Sequence, residues 1–112
     1  MSLSTYVPGT MADGQLSNSV ASIYTVGAPY STAFVKNIVL FNNSATPQTV
    51  TIYILRSGST KRGYRQFQMA QYESVDVVQG GQSIELSVGD AIQAVTTTAS
   101  QVDYTVWGVQ AD

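Results

Sequence analysis

The sequence predicts an all-β domain, a single antiparallel β-sandwich of about eight short strands with a jelly-roll-like arrangement. Short runs of alternating apolar and polar residues, rich in Val, Ile, Thr and Tyr, recur along the 112 residues, and they are typical of strands with one buried face. Turn-forming Gly, Asn, Ser and Pro residues interrupt them roughly every 8–12 residues, and no stretch has the spacing of an amphipathic helix. Because such a pattern defines strands better than connections, an immunoglobulin-like topology stays open beside the jelly roll.

Residues 1–19 are expected to form an N-terminal arm, and residues 20–112 the sandwich. The arm is rich in Gly, Ser and Thr, contains the turn signals PG and DG, and has few apolar residues. It is either loosely held or docked on a neighbouring subunit. In the second case Tyr6, Val7 and Met11 are its predicted anchors.

The stretch from Ala33 to Leu55 is expected to form the central β-hairpin. Two apolar, β-branched runs flank the segment NNSATP, whose Asn, Ser and Pro residues are typical of a turn. The first run is apolar on both faces, so it either lies deep in a sandwich or packs its outer face on a partner. Its two predicted faces are Phe34, Ile38 and Leu40 on one side and Val35, Val39 and Phe41 on the other.

Shorter strands are predicted before and after this pair. One covers residues 20–26. The later ones cover residues 64–72, 74–78, 83–88, 91–97 and 102–109, with turns at 79–82 and 89–90. In the strand over 83–88, Ile84, Leu86 and Val88 are expected to face the core. A helix is the alternative for 64–72, because QFQMAQ contains fair helix formers, but the flanking residues favour a strand.

Two residue types are missing, and their absence excludes several chemistries. The chain has no cysteine and no histidine. Thiol catalysis, disulfides, Cys-rich zinc sites and histidine-dependent triads are therefore excluded. No acidic run resembles a calcium loop, and no carboxylate spacing indicates a glycosidase pair. We expect no enzymatic activity, no metal site and no cofactor.

The composition favours association. Charged residues make up 11% of the chain and the net charge is −2, against about 25% charged residues in typical proteins. Such a surface offers little like-charge repulsion against self-association, although a neutral β-domain of another kind would have the same composition. No apolar run approaches the ~20 residues of a membrane span. The N-terminus also lacks signal-peptide features, so a soluble, non-exported protein is expected.

The segment 56–65 is expected to be a protruding basic loop. Four of the five basic residues of the chain fall within these ten positions, and Tyr64 adds a group that can stack and hydrogen-bond. An acidic protein surface is one expected partner; an anionic glycan or a merely solvated loop tip are alternatives. Nucleic acid is disfavoured, because the chain is acidic overall and lacks an RNA-binding aromatic signature. The predicted binding residues of this loop are Arg56, Lys61, Arg62, Tyr64 and Arg65.

The order of motifs between Ile23 and Val109 matches a wider pattern. A strand and turn containing YTVGAPY precede an apolar strand, an Asn/Ser-rich turn and the strand VTIYIL; LSVGDAIQA and the closing strand YTVWG follow. This order resembles small virion proteins of tailed bacteriophages. The resemblance implies a β-sandwich that decorates or cements a capsid, or that sits in the neck or tail, and it implies no catalysis.

We therefore expect a phage virion structural protein, a capsid decoration or cement protein that forms homo-oligomers. It would bind the major capsid protein or another virion protein through a sandwich face, the arm and the basic loop. The first alternative is a tail, fibre or neck module that binds a receptor or glycan. The second is a carbohydrate-binding domain of a cellular protein.

Overall fold

The computed structural model describes residues 6–56, 60–78 and 83–111, and these residues form nine β-strands and no helix. The all-β class is thus confirmed, while the predicted turn at 79–82 lies outside the described residues. In the described part of the chain, no helix of membrane-spanning length and apolarity occurs. The strands are β1 Tyr6–Gln15, β2 Ala21–Thr25, β3 Thr32–Asn42, β4 Gln48–Arg56, β5 Thr60–Met69, β6 Ser74–Asp76, β7 Ile84–Ser87, β8 Ala91–Thr96 and β9 Val102–Ala111.

The strands form two antiparallel sheets. Sheet A has the order β1-β9-β3-β6, with β7 also paired to β3, and sheet B has the order β2-β8-β4-β5. Strand β7 pairs with residues 32–35 of β3 and β6 with residues 39–41, on the side away from β9. The two short strands therefore share one strand position. Two facing sheets with the strand orders β1-β9-β3-β6/β7 and β2-β8-β4-β5 are the jelly-roll arrangement, which the sequence left open against an immunoglobulin-like one.

The predicted hairpin between β3 and β4 is wrong, although both strands lie where the sequence placed them. Strand β3 belongs to sheet A and β4 to sheet B, so residues 43–47 cross from one sheet to the other. The buried Asn42 holds this crossing, because its side-chain amide donates hydrogen bonds to the carbonyl groups of Thr46 and Ala70 at 2.9 and 3.0 Å. A turn between two alternating runs has the same sequence signature whether the strands pair or separate.

A β-bulge in β3 decides which of its side chains enter the core. The register against β9 shifts between Val35 and Asn37, which leaves Lys36 as the additional residue. Val35 and Ile38 are therefore both fully buried, whereas Phe34 is half-buried on the outer face. The predicted sharing of one face by Phe34, Ile38 and Leu40 is wrong for this reason, since one inserted residue moves the side chains before it to the opposite face.

The core lies between the sheets and draws on nearly every strand. Val88 is not part of it, since the strand β7 ends at Ser87 and Val88 is 60% exposed, contrary to expectation. The side chains of Val50, Ile52 and Ile54 in β4 face inward. The largest fully buried apolar side chains are Leu16, Ile38, Leu40, Ile52, Met69, Leu86 and Ile92.

The segment expected to be an N-terminal arm is an edge strand of the sandwich from Tyr6 onward. Strand β1 pairs with β9 along its whole length, from Tyr6 opposite Ala111 to Gln15 opposite Asp103. The next residue, Leu16, is 2% exposed and belongs to the core. The structure therefore shows no separation between residues 6–19 and the sandwich.

Tyr24 is expected to make the protein less stable in alkali. Burial raises the pKa of this tyrosine; the hydrogen bond that its hydroxyl accepts from Gln110 at 2.9 Å acts in the opposite direction, and nearby Tyr30 adds to the rise. The unfolded chain ionises Tyr24 near pH 10, before the folded chain does. The free energy of unfolding should therefore fall as pH rises above about 10. Urea unfolding at pH 8 and pH 10.5 measures the free energy of unfolding, which should fall less between the two pH values for Tyr24→Phe than for the wild type. An equal fall in both proteins would show that Tyr24 does not cause the alkaline destabilisation.

Candidate interaction surfaces

The outer face of sheet A carries a group of apolar side chains that we call the outer apolar stripe. Its members are neighbours across β3 and β9: Phe34 lies opposite Val109, and Trp107 opposite Asn37. Most of them are half-buried, whereas Trp107 is 44% exposed. The stripe consists of Phe34, Val39 and Phe41 on β3 and of Trp107 and Val109 on β9.

An antiparallel sheet whose outer face meets water usually places polar residues there. In this sandwich the two middle strands of sheet A place aromatic and β-branched residues on that face instead. The sequence signal for this feature is the first run of the expected hairpin, which is apolar on both faces. Contiguous exposed apolar side chains, with an aromatic residue among them, are typical of protein-binding surfaces.

Carboxylates surround the outer apolar stripe. The pairing places Asp13 opposite Thr105, Asp76 opposite Val39, Glu85 opposite Phe34 and Asp103 opposite Phe41, all at outward-facing positions. Among the described strands of sheet A, Lys36 is the sole basic residue. This face therefore combines an apolar centre with carboxylates around it. We call these carboxylates the acidic rim; they belong to Asp13, Asp76, Glu85 and Asp103.

The basic residues do not form the expected loop. Strand β4 runs to Arg56 and β5 begins at Thr60, so most of the segment 56–65 is strand, and residues 57–59 lie outside the described residues. Arg56 is used within the fold, because its guanidinium lies 3.1 Å from the buried carboxylate of Asp90 and donates to the carbonyl of Glu85 at 3.0 Å. The Arg56 side chain therefore has a structural role in this chain, while the predicted binding of a partner stays a prediction.

The other basic residues lie on β5 but do not share one face, because Lys61 is opposite the outward-facing Leu55 whereas Arg65 is opposite the core-facing Ile52. The Lys61 ammonium lies 5.1 Å from the centre of the Tyr53 ring, and Arg62 is exposed opposite Ile54. Arg65 donates to the carbonyl of Val77 at 3.0 Å. Whether Lys61, Arg62 and Arg65 bind a partner stays a prediction.

The remaining predicted site residues lie in different environments. Tyr64 is half-buried and packs against the core, so little more than its edge is available. Tyr6 is 65% exposed and Val7 38% exposed on the edge strand β1. Met11 packs partly against the core of its own chain, at the bulge between Thr10 and Ala12, and its role as an anchor stays a prediction.

A shallow hollow on the outer face of sheet B is a feature that sequence reasoning missed. The register between β4 and β5 shifts so that Ile52 lies opposite Arg65 and Tyr53 opposite Gly63. A side chain is absent at Gly63, and the resulting hollow of about 350 Å³ is lined by Thr51, Tyr53, Gly63, Tyr64, Arg65 and Gln66. An isolated glycine inside a strand pattern often marks a bulge, and that signal could have located it.

A second, wider groove of about 510 Å³ lies where β7 of sheet A approaches β4 and β5 of sheet B. Its charged lining residues are Arg56, which is paired with Asp90, and Glu85. Within residues 6–56, 60–78 and 83–111, no group of three acidic side chains is placed to hold a metal ion.

Reversing the charge of Arg56 should destabilise the fold, whereas the same change at Arg62 should not. Asp90 is 5% exposed and also accepts a hydrogen bond from the Ser87 amide at 3.0 Å. Arg56→Glu would set a second carboxylate against it, at an expected loss of about 1–2 kcal/mol, which allows for the partial exposure of Arg56. Chemical denaturation of both variants checks this; equal stabilities would contradict the structural role of the pair.

Comparisons with known proteins support the fold. No protein-family model matches the chain, and no curated protein is significantly similar to it. A solved structure from Bacillus endospore appendages, described as a novel family of disulfide-linked pili, is similar with a TM-score of 0.57. The sequences are 15% identical, and the match covers 97% of this chain and 89% of the other. The chain is thus an all-β sandwich whose fold is similar to that of the endospore appendage protein, and the comparisons show no phage family.

Proposed function

We propose that this chain is a non-catalytic structural subunit that binds other proteins through the outer face of sheet A. The observation that carries the proposal is the outer apolar stripe, because covering it removes apolar surface from water. Each large side chain that becomes fully buried contributes roughly 1.5–3 kcal/mol. The absence of histidine and cysteine from the sequence supports a role without acid–base or thiol chemistry.

Within this class we propose a virion protein that decorates or cements a capsid. The support is the motif order over residues 23–109, which resembles small virion proteins of tailed phages. The partner would be the major capsid protein or another virion protein, and the chain would reside in the virion. An apolar centre within the acidic rim would fit a shell surface that presents apolar and basic side chains.

A filament subunit is the second candidate, and the likeness to the Bacillus endospore appendage structure favours it. That family is described as disulfide-linked. This chain has no cysteine, so its contacts in a filament would have to be non-covalent. Binding of a receptor or glycan stays a prediction without a specific structural observation in its favour.

Quantitative mass spectrometry of purified particles tests the proposal. The chain should sediment with virions or filaments at a fixed ratio to the main structural protein. Trp107→Asp should stay folded but lose incorporation by at least about tenfold, because a charge at the centre of the stripe opposes its burial. Val88→Asp, an equally exposed change away from the stripe, is the control and should incorporate normally. Wild-type protein missing from all particles, or normal incorporation of Trp107→Asp, would contradict the proposal.

A further inference from the structure

We propose that Arg62 and Arg65 keep the free edge of sheet B from pairing with a β-strand of another copy. Strand β5 is the last strand of this sheet, and among the described strands it pairs with β4 alone. An edge strand of this kind offers backbone N–H and C=O groups to any other extended chain. Both arginines are on this strand, so they are placed where such pairing would begin.

The two arginines lie on the inward side of β5. Arg62 is opposite Ile54 and Arg65 opposite Ile52, and both isoleucines face the core from β4. The arginines are nevertheless exposed, because a long side chain at the rim of the sandwich can carry its charge into water. A strand added beside β5 would continue the sheet over this rim and separate both guanidinium groups from water. An inward-pointing charge on an edge strand therefore opposes pairing.

The contacts of Arg65 hold its charge at this rim. Its guanidinium donates a hydrogen bond to the carbonyl of Val77 at 3.0 Å and lies 5.2 Å from the centre of the Phe67 ring. Val77 directly follows β6 of sheet A, so the side chain spans the gap between the two sheets. Turning it to the outer face of sheet B would break both contacts. A strand that pairs with β5 would thus meet the charge in place.

The other sheet edges are short or interrupted, whereas β5 is protected chiefly by charge. Strand β1 contains Pro8, which has no N–H group, and its register shifts between Thr10 and Ala12. Strand β2 has five residues and a register shift, and β6 and β7 have three and four residues. Strand β5 has ten residues and no proline, and its pairing is regular from Arg65 to Met69. It is therefore the edge that most needs a charged residue.

The distribution of charge along the sequence agrees with this role. Three of the five basic residues of the chain lie on β5, which contains no acidic residue: Lys61, Arg62 and Arg65. Two copies that paired through their β5 strands would bring these cations together, and like charges on adjacent strands are destabilising. The chain has few other charges to prevent self-association, since 11% of its residues are charged.

Sedimentation velocity of three double variants tests this role. Replacing Arg62 and Arg65 by threonine removes the inward charges, and replacing both by lysine keeps them. Replacing Lys36 and Lys61 by threonine removes two other exposed charges, so its net charge equals that of the first variant. The variant with Arg62→Thr and Arg65→Thr should self-associate at least about tenfold more tightly than the wild type. The other two should behave like the wild type, and hydrogen exchange of the β5 amides should slow only in the associated variant.

Three results would overturn the inference. The threonine variant of the arginines could stay as monomeric as the wild type. The lysine variant could associate equally, which would assign the effect to the lost hydrogen bond to Val77. The variant of Lys36 and Lys61 could associate equally, which would assign it to net charge.

Two further variants separate edge pairing from unfolding and from the outer apolar stripe. Urea unfolding and circular dichroism show whether each protein is folded. If the double threonine variant is not, Arg62→Thr alone keeps the Arg65 bond and should still associate more tightly than Arg62→Lys; equal association would contradict the role. Adding Trp107→Asp to the double threonine variant should leave its association unchanged. Loss of association would place the contact on sheet A and overturn the inference, whereas the proposed function is tested by particle incorporation of Trp107→Asp alone.

Discussion

Replacing Gly108 by alanine is expected to destabilise the protein by about 3 kcal/mol or more. Gly108 lies in β9 opposite Val35, directly beside the bulge at Lys36. The bulge brings backbone so close that an added Cβ would overlap the carbonyl oxygen of Phe34 and lie 2.8 Å from the amide nitrogen of Lys36. Because both contacts are with backbone, no side chain can rotate away, and the sheet itself must shift.

Urea unfolding measures this loss, and Gly63→Ala is the matched control. Gly63 is also a glycine within a strand, but a Cβ there meets open space, so the change should stay within about 0.5 kcal/mol of the wild type. The total free energy of unfolding of a domain is roughly 5–15 kcal/mol. Because the expected loss for Gly108→Ala is a large part of it, this variant should be partly unfolded at 37 °C. Equal stability of the two variants would show that β3 and β9 are spaced more widely at the bulge than the structure has them.

Replacing Asn42 by leucine is expected to cost about 3 kcal/mol, since several buried polar groups lose their partners together. Asn42 is fully buried, and besides the two carbonyls that its amide bonds, its side-chain oxygen accepts hydrogen bonds from the hydroxyl and amide of Ser44 at 2.7 and 3.2 Å. Leucine has a similar volume but no hydrogen-bonding group. The crossing from sheet A to sheet B would lose the side chain that ties it to the end of β5.

Chemical denaturation with two further variants checks this role. Asn43→Ala changes the adjacent, exposed asparagine and should remain within about 0.5 kcal/mol of the wild type. Asn42→Asp keeps the shape but sets a carboxylate oxygen against the carbonyls of Thr46 and Ala70, so it should be at least as destabilising as leucine. A stable Asn42→Asp would mean that the side-chain amide does not hold the crossing.

The positions of eight strands could be predicted because alternation and turn residues are local signals. Strand β1 was missed for a physical reason: its sequence, YVPGTMADGQ, contains Pro, two Gly and few β-forming residues. It is held by pairing with β9, a partner about ninety residues away, and no local pattern reports such a contact. The crossing at 43–47 was mistaken for a hairpin because both connections use the same turn residues.

The candidate surfaces, like the fold, could be predicted from the sequence only in part. The two-sided apolar character of β3 left open a position deep in the sandwich or an outer face against a partner; in the structure the second apolar face is the outer face of sheet A, beside Trp107. The bulges at Lys36 and beside Gly63 decide which side chains face outward and where the hollow lies. The first has no distinctive sequence, and the second is marked only by the isolated glycine. The predicted loop conformation of residues 56–65 is wrong because β5 begins as early as Thr60. The pairing of Arg56 with Asp90, 34 positions further on, has no local sequence signal, and partner binding by the basic residues stays a prediction.

Hydroxyl-radical footprinting of the assembled and the dispersed protein tests most directly whether the outer face of sheet A is a binding surface. The method reads the exposure of individual side chains by mass spectrometry, whichever protein the partner is. Trp107, the single tryptophan of the chain, should be oxidised several-fold more slowly in the assembly. Tyr72, which is 58% exposed in the turn before β6, should react equally in both states. Undiminished oxidation of Trp107 in the assembly would contradict the account.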